Sequence, residues 1–370
     1  MIIRHLLIIA ACTLFSNLYA GPSNEGQGRA PSVFDSFYSE DVLSVTLETD
    51  LDALINDRRR EDFQTATITF EDADKNTTQW TVEVKPRGKF RRRICDFPPV
   101  KLKFDKEELE TAGLNGHNDL KLVTHCLDDK QEGRDNVMRE FLAYEMYNLL
   151  TPNSYRVQLV KIEYRDSKGA VRPIKRYGFL LEDTDEMAER LGGTECDVCV
   201  NPDPRLLDPK EENLLSVFQY MIGNGDWSLR MARNVKFVER PSGQLLPVPF
   251  DFDFSGLVDA SYAIPNREFG QLDVQSRVYM GLQPDKEILF ETLAKFARKK
   301  KDLYAMVRQH KGLKNDTRIF ITAYLDRFFY AIENGTEEEL VALFTPATMN
   351  VPITPAPDSS KTDNSGGINR

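Results

Sequence analysis

Two aspartates stand one residue apart in PVPFDFDFSGLVDA, residues 247–260. The segment reads as buried strand, where a carboxylate is seldom left without a partner. Asp251 and Asp253 are therefore candidate ligands of a hard cation or neighbours of a phosphate. A second group, Asn224-Gly225-Asp226-Trp227, ends an apolar helix, and Asn234 opens the hairpin whose return strand leads to Asp251. Oxygen ligands at opposite ends of one hairpin meet at its mouth. A nearby loop aspartate suits the orientation of an attacking hydroxyl. Phosphoryl transfer uses such a set, because it is mostly positioning and charge neutralisation. The competing reading is structural: Asp251 and Asp253 cap a helix or pair with Arg230 or Arg233, and Asn-Gly-Asp is a common turn.

Alternating apolar residues predict the strands that hold these groups: 42–47, 66–70, 80–85, 100–104, 120–123, 157–164 and 177–181. In Val100-Lys101-Leu102-Lys103-Phe104 the lysines share one face and the apolar residues the other. Residues 135–150 carry apolar positions at helical spacing. After Glu182 the chain turns mainly helical, with helices at 212–222, 285–309 and 316–333 and a hairpin at 234–250. The expected division is a signal segment 1–20, a flexible leader 21–40, a strand-rich part 41–182, a helical part 183–344 and a disordered tail 345–370.

Residues 1–20 combine Arg4, an apolar run and Ala20, as a secretory signal does. That points to a secreted or periplasmic bacterial protein. Cys12 sits in a lipobox-like stretch, but the run before it is short, so no lipid anchor is expected. No later segment is long and apolar enough to span a bilayer. With 48 basic and 58 acidic residues the net charge is −10, which argues against a nucleic-acid partner. Cys95, Cys126, Cys196 and Cys199 follow the signal, an even number in an exported chain. Disulfides rank first, a metal site second and redox catalysis third, with the pairing open.

The ordered motifs resemble the CotH family of spore-coat and cell-surface kinase-like proteins. They look closer still to a group of uncharacterised secreted bacterial proteins taken as its relatives. Lys85-Pro86-Arg87-Gly88-Lys89-Phe90 resembles the family's Arg-Gly turn, and FPPVKLKF its strand with paired lysines. Residues 139–145, REFLAYE, resemble its long helix, and residues 176–182, RYGFLLE, its strand between lobes. Asn224-x-Asp226, Asn234 and Phe250-Asp251-Phe252-Asp253 match its acidic pattern over a likeness spanning roughly residues 42–310.

The resemblance implies an α+β, two-lobed protein-kinase-like fold: a strand-rich N-terminal lobe, a mainly helical C-terminal lobe, and ATP between them. Asp226 would be the catalytic carboxylate. Asn234 and Asp251 would bind Mg2+, with Asp253 as a second ligand. Lys101 or Lys103 would reach the phosphates, and Glu140 or Glu145 would pair with that lysine. Arg87 and Glu182 are further cofactor-binding candidates. The lysines also fit a solvated strand face, and the basic run from Arg87 to Arg93 a solvated loop. The sequence departs from kinases in two ways: Gly88 stands alone where a glycine-rich loop would be, and the Asp226–Asn234 loop is long.

Three functions follow in order. The first is a secreted kinase that moves the γ-phosphate of ATP to Ser or Thr of an envelope or secreted protein. The second is a non-catalytic envelope binding module with a structural cation site. The third is a metal-dependent phosphohydrolase; it ranks last because no histidine lies near the aspartates in sequence.

Overall fold

The computed structural model describes residues 30–57, 61–71 and 76–347. The signal segment, Cys12, the leader before residue 30 and the tail beyond 347 lie outside the described residues. The folded body starts before Asp41. Helix α1 (Val33–Phe37) is closed by a Ser32–Asp35 capping box, and its Phe37 ring stacks on Phe70 at 4.0 Å. This part of the expected leader is thus ordered by burial of its aromatic residues.

Next come β1 (Leu43–Thr49), α2 (Leu51–Asn56), β2 (Gln64–Glu71), β3 (Thr77–Pro86) and a one-turn α3 (Arg91–Ile94). They are followed by β4 (Val100–Phe104), α4 (Lys106–Thr111), β5 (Asp119–Val123) and α5 (Lys130–Leu150), then β6 (Val157–Asp166) and β7 (Ile174–Leu181). Helix α5 begins earlier than the apolar pattern suggested. The Asp129 side chain accepts from the Gln131 and Glu132 amides, which nucleates an extra polar turn.

The seven strands close into a barrel in the order β1-β2-β3-β4-β5-β7-β6. Closure comes from parallel pairing of β1 with β6, Val45 opposite Ile162; all other barrel pairs are antiparallel. Alternation then sorts each strand into two faces. Leu102, Phe104, Leu120, Leu122, Val160, Ile162, Tyr164 and Leu180 fill the interior. Val123, Val157, Leu159, Phe179 and Leu181 face outward, into a second core.

That second core is shared with helices on both sides of residue 182 in sequence. It takes in α5 together with α7 (Pro209–Ile222), α8 (Lys286–Gln309) and α9 (Asn315–Asn334). Between β7 and α7 lie α6 (Thr184–Arg190) and β8 (Thr194–Glu195). β8 joins the hairpin of β9 (Val235–Glu239) and β10 (Leu245–Pro249) in a small sheet ordered β10-β9-β8. Pro247 and Pro249 are tolerated because β10 is an edge strand. Helix α10 (Glu337–Leu343) closes the described chain.

The two-lobed kinase-like expectation is therefore corrected. The fold is a closed seven-stranded barrel with mixed α/β surroundings, and the strand-rich part is not a separate lobe. The physical reason is burial: β6, β7 and α5 need the C-terminal helices to cover their apolar outer surface. No helix among the described residues is long and apolar enough to cross a membrane.

All four cysteines of the described chain are in disulfides, Cys95–Cys126 and Cys196–Cys199. The thiolates a metal site would need are thereby used. The first bridge is buried and spans 31 residues; the second closes a short turn after β8.

Candidate functional site

The site forms where the β9–β10 hairpin, the end of α7, the middle of α5 and the turn into α3 converge on the outer side of the barrel. Helix α7 stops at Gly223, whose left-handed φ of 65° turns the chain away. The Asn224 side-chain Oδ1 then accepts from the Asp226 amide at 2.9 Å, an Asx turn that aims Asp226. A Cβ at Gly225 would meet the Gln271 side-chain oxygen at 2.3 Å, so a larger residue there requires the buried Gln271 to shift. Trp227 is buried against Val235 and Phe237 and anchors the loop from below.

Asn234 and Asp251 mark the two ends of the hairpin, and both are left-handed, with φ of 52° and 64°. Asn and Asp are among the few residues that tolerate this region. The Phe250 amide donates to the Asn234 carbonyl at 3.0 Å and joins these ends. The Asn234 side-chain amide donates to the Asp226 carboxylate at 3.0 Å and to its carbonyl at 2.6 Å. In this arrangement Asn234 orients Asp226. Arg233 reaches the other carboxylate oxygen at 3.5 Å. Burial raises the Asp226 pKa and outweighs the pull of Arg233, so the carboxylate is a stronger base than a solvated aspartate.

Asp251, Asp253 and Glu140 offer carboxylate oxygens that all lie within 4.8 Å of one another. Such a set of hard oxygen donors could hold a metal ion. Arg91, from α3, enters the same cluster. It lies 3.0 Å from Asp253 and 3.3 Å from Glu140, and also pairs with Asp251. Burial opposes the Arg91 charge, but Asp253 and Glu140 outweigh it and raise its pKa. Burial pushes Glu140 up to about 7, against the pull of Arg91. The Tyr144 hydroxyl accepts from the Asp251 amide at 2.8 Å and fixes the turn that carries the cluster.

Two more cations stand beside this group. Arg87 makes no ion pair among the described residues, and burial together with Arg91 lowers its pKa to about 10. Lys121, on the outer face of β5, donates to the Thr184 hydroxyl and lies over the Tyr155 and Phe250 rings, 5.2 and 5.9 Å from their centroids. Burial first, then Arg87 and Lys236, lower its pKa to about 7. Both side chains are surrounded by protein yet keep part of their surface open. Cations so placed, with no carboxylate paired to them among the described residues, suit an anionic ligand.

The other candidates are placed elsewhere. Lys101 and Lys103 share the outer face of β4; Lys101 pairs with Asp119 at 2.5 Å, and Lys103 lies over the Phe63 ring. Glu145 faces His310 at 3.5 Å. Glu182 is fully buried between Arg156 and Arg190, at 2.8 and 2.5 Å, and ties β7 to the start of β6 and to α6. The structure thus brings together Asp226, Asn234, Asp251, Asp253, Glu140 and Arg87, and leaves Lys101, Lys103, Glu145 and Glu182 in other contacts. Sequence reasoning missed Arg91 as the partner of the acidic cluster and Lys121 as its neighbouring cation. The available signal for Lys121 was a lone lysine in the apolar run LKLV, in register with Lys101.

No family model and no curated protein sequence matches this chain. The likeness to CotH-like proteins rests on the ordered motifs alone.

Proposed function

We propose that this chain is an exported, CotH-like phosphotransferase that moves the γ-phosphoryl group of ATP to Ser or Thr of an envelope or secreted protein. One observation carries the reading. Two deep cations without ion pairs among the described residues stand beside the acidic cluster: Arg87, near Glu140 and Arg91, and Lys121, near Arg87 and over the Phe250 ring that precedes Asp251; Asp226 in turn lies near Asp253. A polyphosphate with a divalent cation has the matching charge pattern. Asp251, Asp253 and Glu140 would hold Mg2+, whose chemistry is to neutralise charge on the transferring phosphoryl group. Arg87 and Lys121 would bind phosphate oxygens. Asp226, held by Asn234 and Arg233, would orient the acceptor hydroxyl and take its proton. The rings of Tyr155 and Phe250 around Lys121 exclude water and strengthen each charge interaction.

Arg91 favours a second reading. Its guanidinium already neutralises part of the acidic cluster, as it would in a non-catalytic binding module. The hydrolase reading has less support: His117 pairs with Glu189, His310 faces Glu145, and His125 is buried against Phe97, all away from Asp226.

Calorimetry with ATP and Mg2+ on wild type, Asp251→Ala and Lys121→Met tests the site. Binding is expected in wild type and a loss of at least tenfold in each variant. No binding with Mg2+, Mn2+ or Ca2+ would remove the phosphotransferase reading. Transfer of labelled γ-phosphate to an envelope extract, lost in Asp226→Asn, separates catalysis from binding alone.

A further inference from the structure

The acidic cluster already contains a cation of its own. Arg91 is 7 % exposed and reaches all three carboxylates, Glu140, Asp251 and Asp253. One guanidinium supplies a single positive charge to three carboxyl groups, two of which, Glu140 and Asp253, are buried. Buried charge without full compensation is costly. A metal ion that uses these oxygens must stand among them, and so must displace the guanidinium. Exchange for a monovalent ion adds no charge and forfeits the guanidinium's hydrogen bonds. Exchange for a divalent ion adds one positive charge.

The local chain allows such an exchange. Helix α3 is a single turn without a side-chain cap at its N-terminal end, and exposed Gly88, Lys89 and Phe90 precede it. Its far end is tethered at Cys95 by the disulfide to Cys126. Arg91 is therefore on the freer end of a short, anchored turn.

We propose that Arg91 is the specificity-determining residue of this cation site. It competes for the cluster, shuts out monovalent ions, and sets the affinity for divalent ones. The proposal rests on the cation-site reading above.

The test uses the full chain with MnCl2, MgCl2 or KCl at matched ionic strength, followed by calorimetry and thermal unfolding. Wild type, Arg91→Gln and Arg91→Lys are compared. Without metal, Arg91→Gln is expected to melt below wild type, because the buried Glu140 and Asp253 and the half-buried Asp251 lose their partner. It should bind Mn2+ at least tenfold tighter and gain more thermal stability from it. Arg91→Lys should fall between. KCl should leave wild type unchanged and raise the melting temperature of Arg91→Gln; an Arg91→Gln that responds to KCl no more than wild type overturns the exclusion of monovalent ions. A folded Arg91→Gln or Arg91→Lys that binds Mn2+ no tighter than wild type overturns the competitor role and leaves the cation site standing. Should Arg91→Gln fold only with Mn2+ present, that supports the role, and Arg91→Lys supplies the affinity comparison. If neither wild type nor any variant binds a divalent ion, the cation site falls and this role with it.

Discussion

Inside the barrel, Leu102, Leu120 and Leu122 meet other apolar side chains. On the outer face of the same strands, Lys101 and Lys121 alternate with them, and the site beyond is dense with Arg, Glu and Asp. One region buries what water rejects; the other holds charges that water would solvate better. The interior stabilises the fold through area alone. The outer site costs stability in places, since Lys121 and Arg87 are held deep without ion pairs among the described residues. Groups kept at a cost are better explained by a ligand than by folding.

The sharpest way to break this contrast is to cut the interior. Phe104→Ala removes a buried ring beside Phe37 and Trp80 and should cost about 3–5 kcal/mol in urea unfolding. Divalent-ion and ATP affinity of the folded fraction should not change. If they fall together, the two regions are not separable.

Lys121→Met should act the opposite way, with a smaller effect. The folded-state pKa of Lys121 is about 7, below its ordinary value of 10.5. Between those values the unfolded chain binds the extra proton, so wild-type stability rises as pH climbs through that window. The penalty of Lys121 is full below pH 7 and vanishes above about pH 10.5. Lys121→Met is therefore expected to melt higher than wild type at pH 6, and the gain should shrink towards pH 10. ATP affinity should drop in the same variant. A variant less stable at pH 6 would mean that Lys121 is a structural contact of Thr184.

The smallest effect is expected at Lys101. Its pair with Asp119 is partly exposed, and Lys101→Ala should cost at most about 1 kcal/mol with ATP affinity unchanged. A tenfold loss of affinity there would return the phosphate role to β4.

The strands were legible because alternation reports burial directly. Val100–Phe104 was read with its true bounds, and α7 was read to its stop at Gly223. The mouth of the hairpin was legible too, because Asn234 and Asp251 are turn formers placed at its two ends. The lysine was not. Lys101, Lys103 and Lys121 all occupy outward positions in alternating strands, and only the packing of Tyr155 and Phe250 distinguishes Lys121. Arg91 was hidden in a basic run, where arginines separate into exposed and buried only after α3 folds against α5.

Local pattern alone determined the order of the seven barrel strands and of the long helices, the turns at Gly223, Asn234 and Asp251, and the grouping of aspartates around one hairpin. Such features depend on neighbours within a few residues, so the chain carries them openly. The same pattern read α1 as flexible leader and missed α3, α4, β8 and α10. Tertiary structure decided the rest. It paired β1 with β6, which closed a barrel where two lobes were expected. It put one core across residue 182, joined Cys95 to Cys126, and set Arg91 among three carboxylates. These contacts link residues distant in sequence, and their energy lies in shared burial and charge balance, which no short stretch of residues encodes.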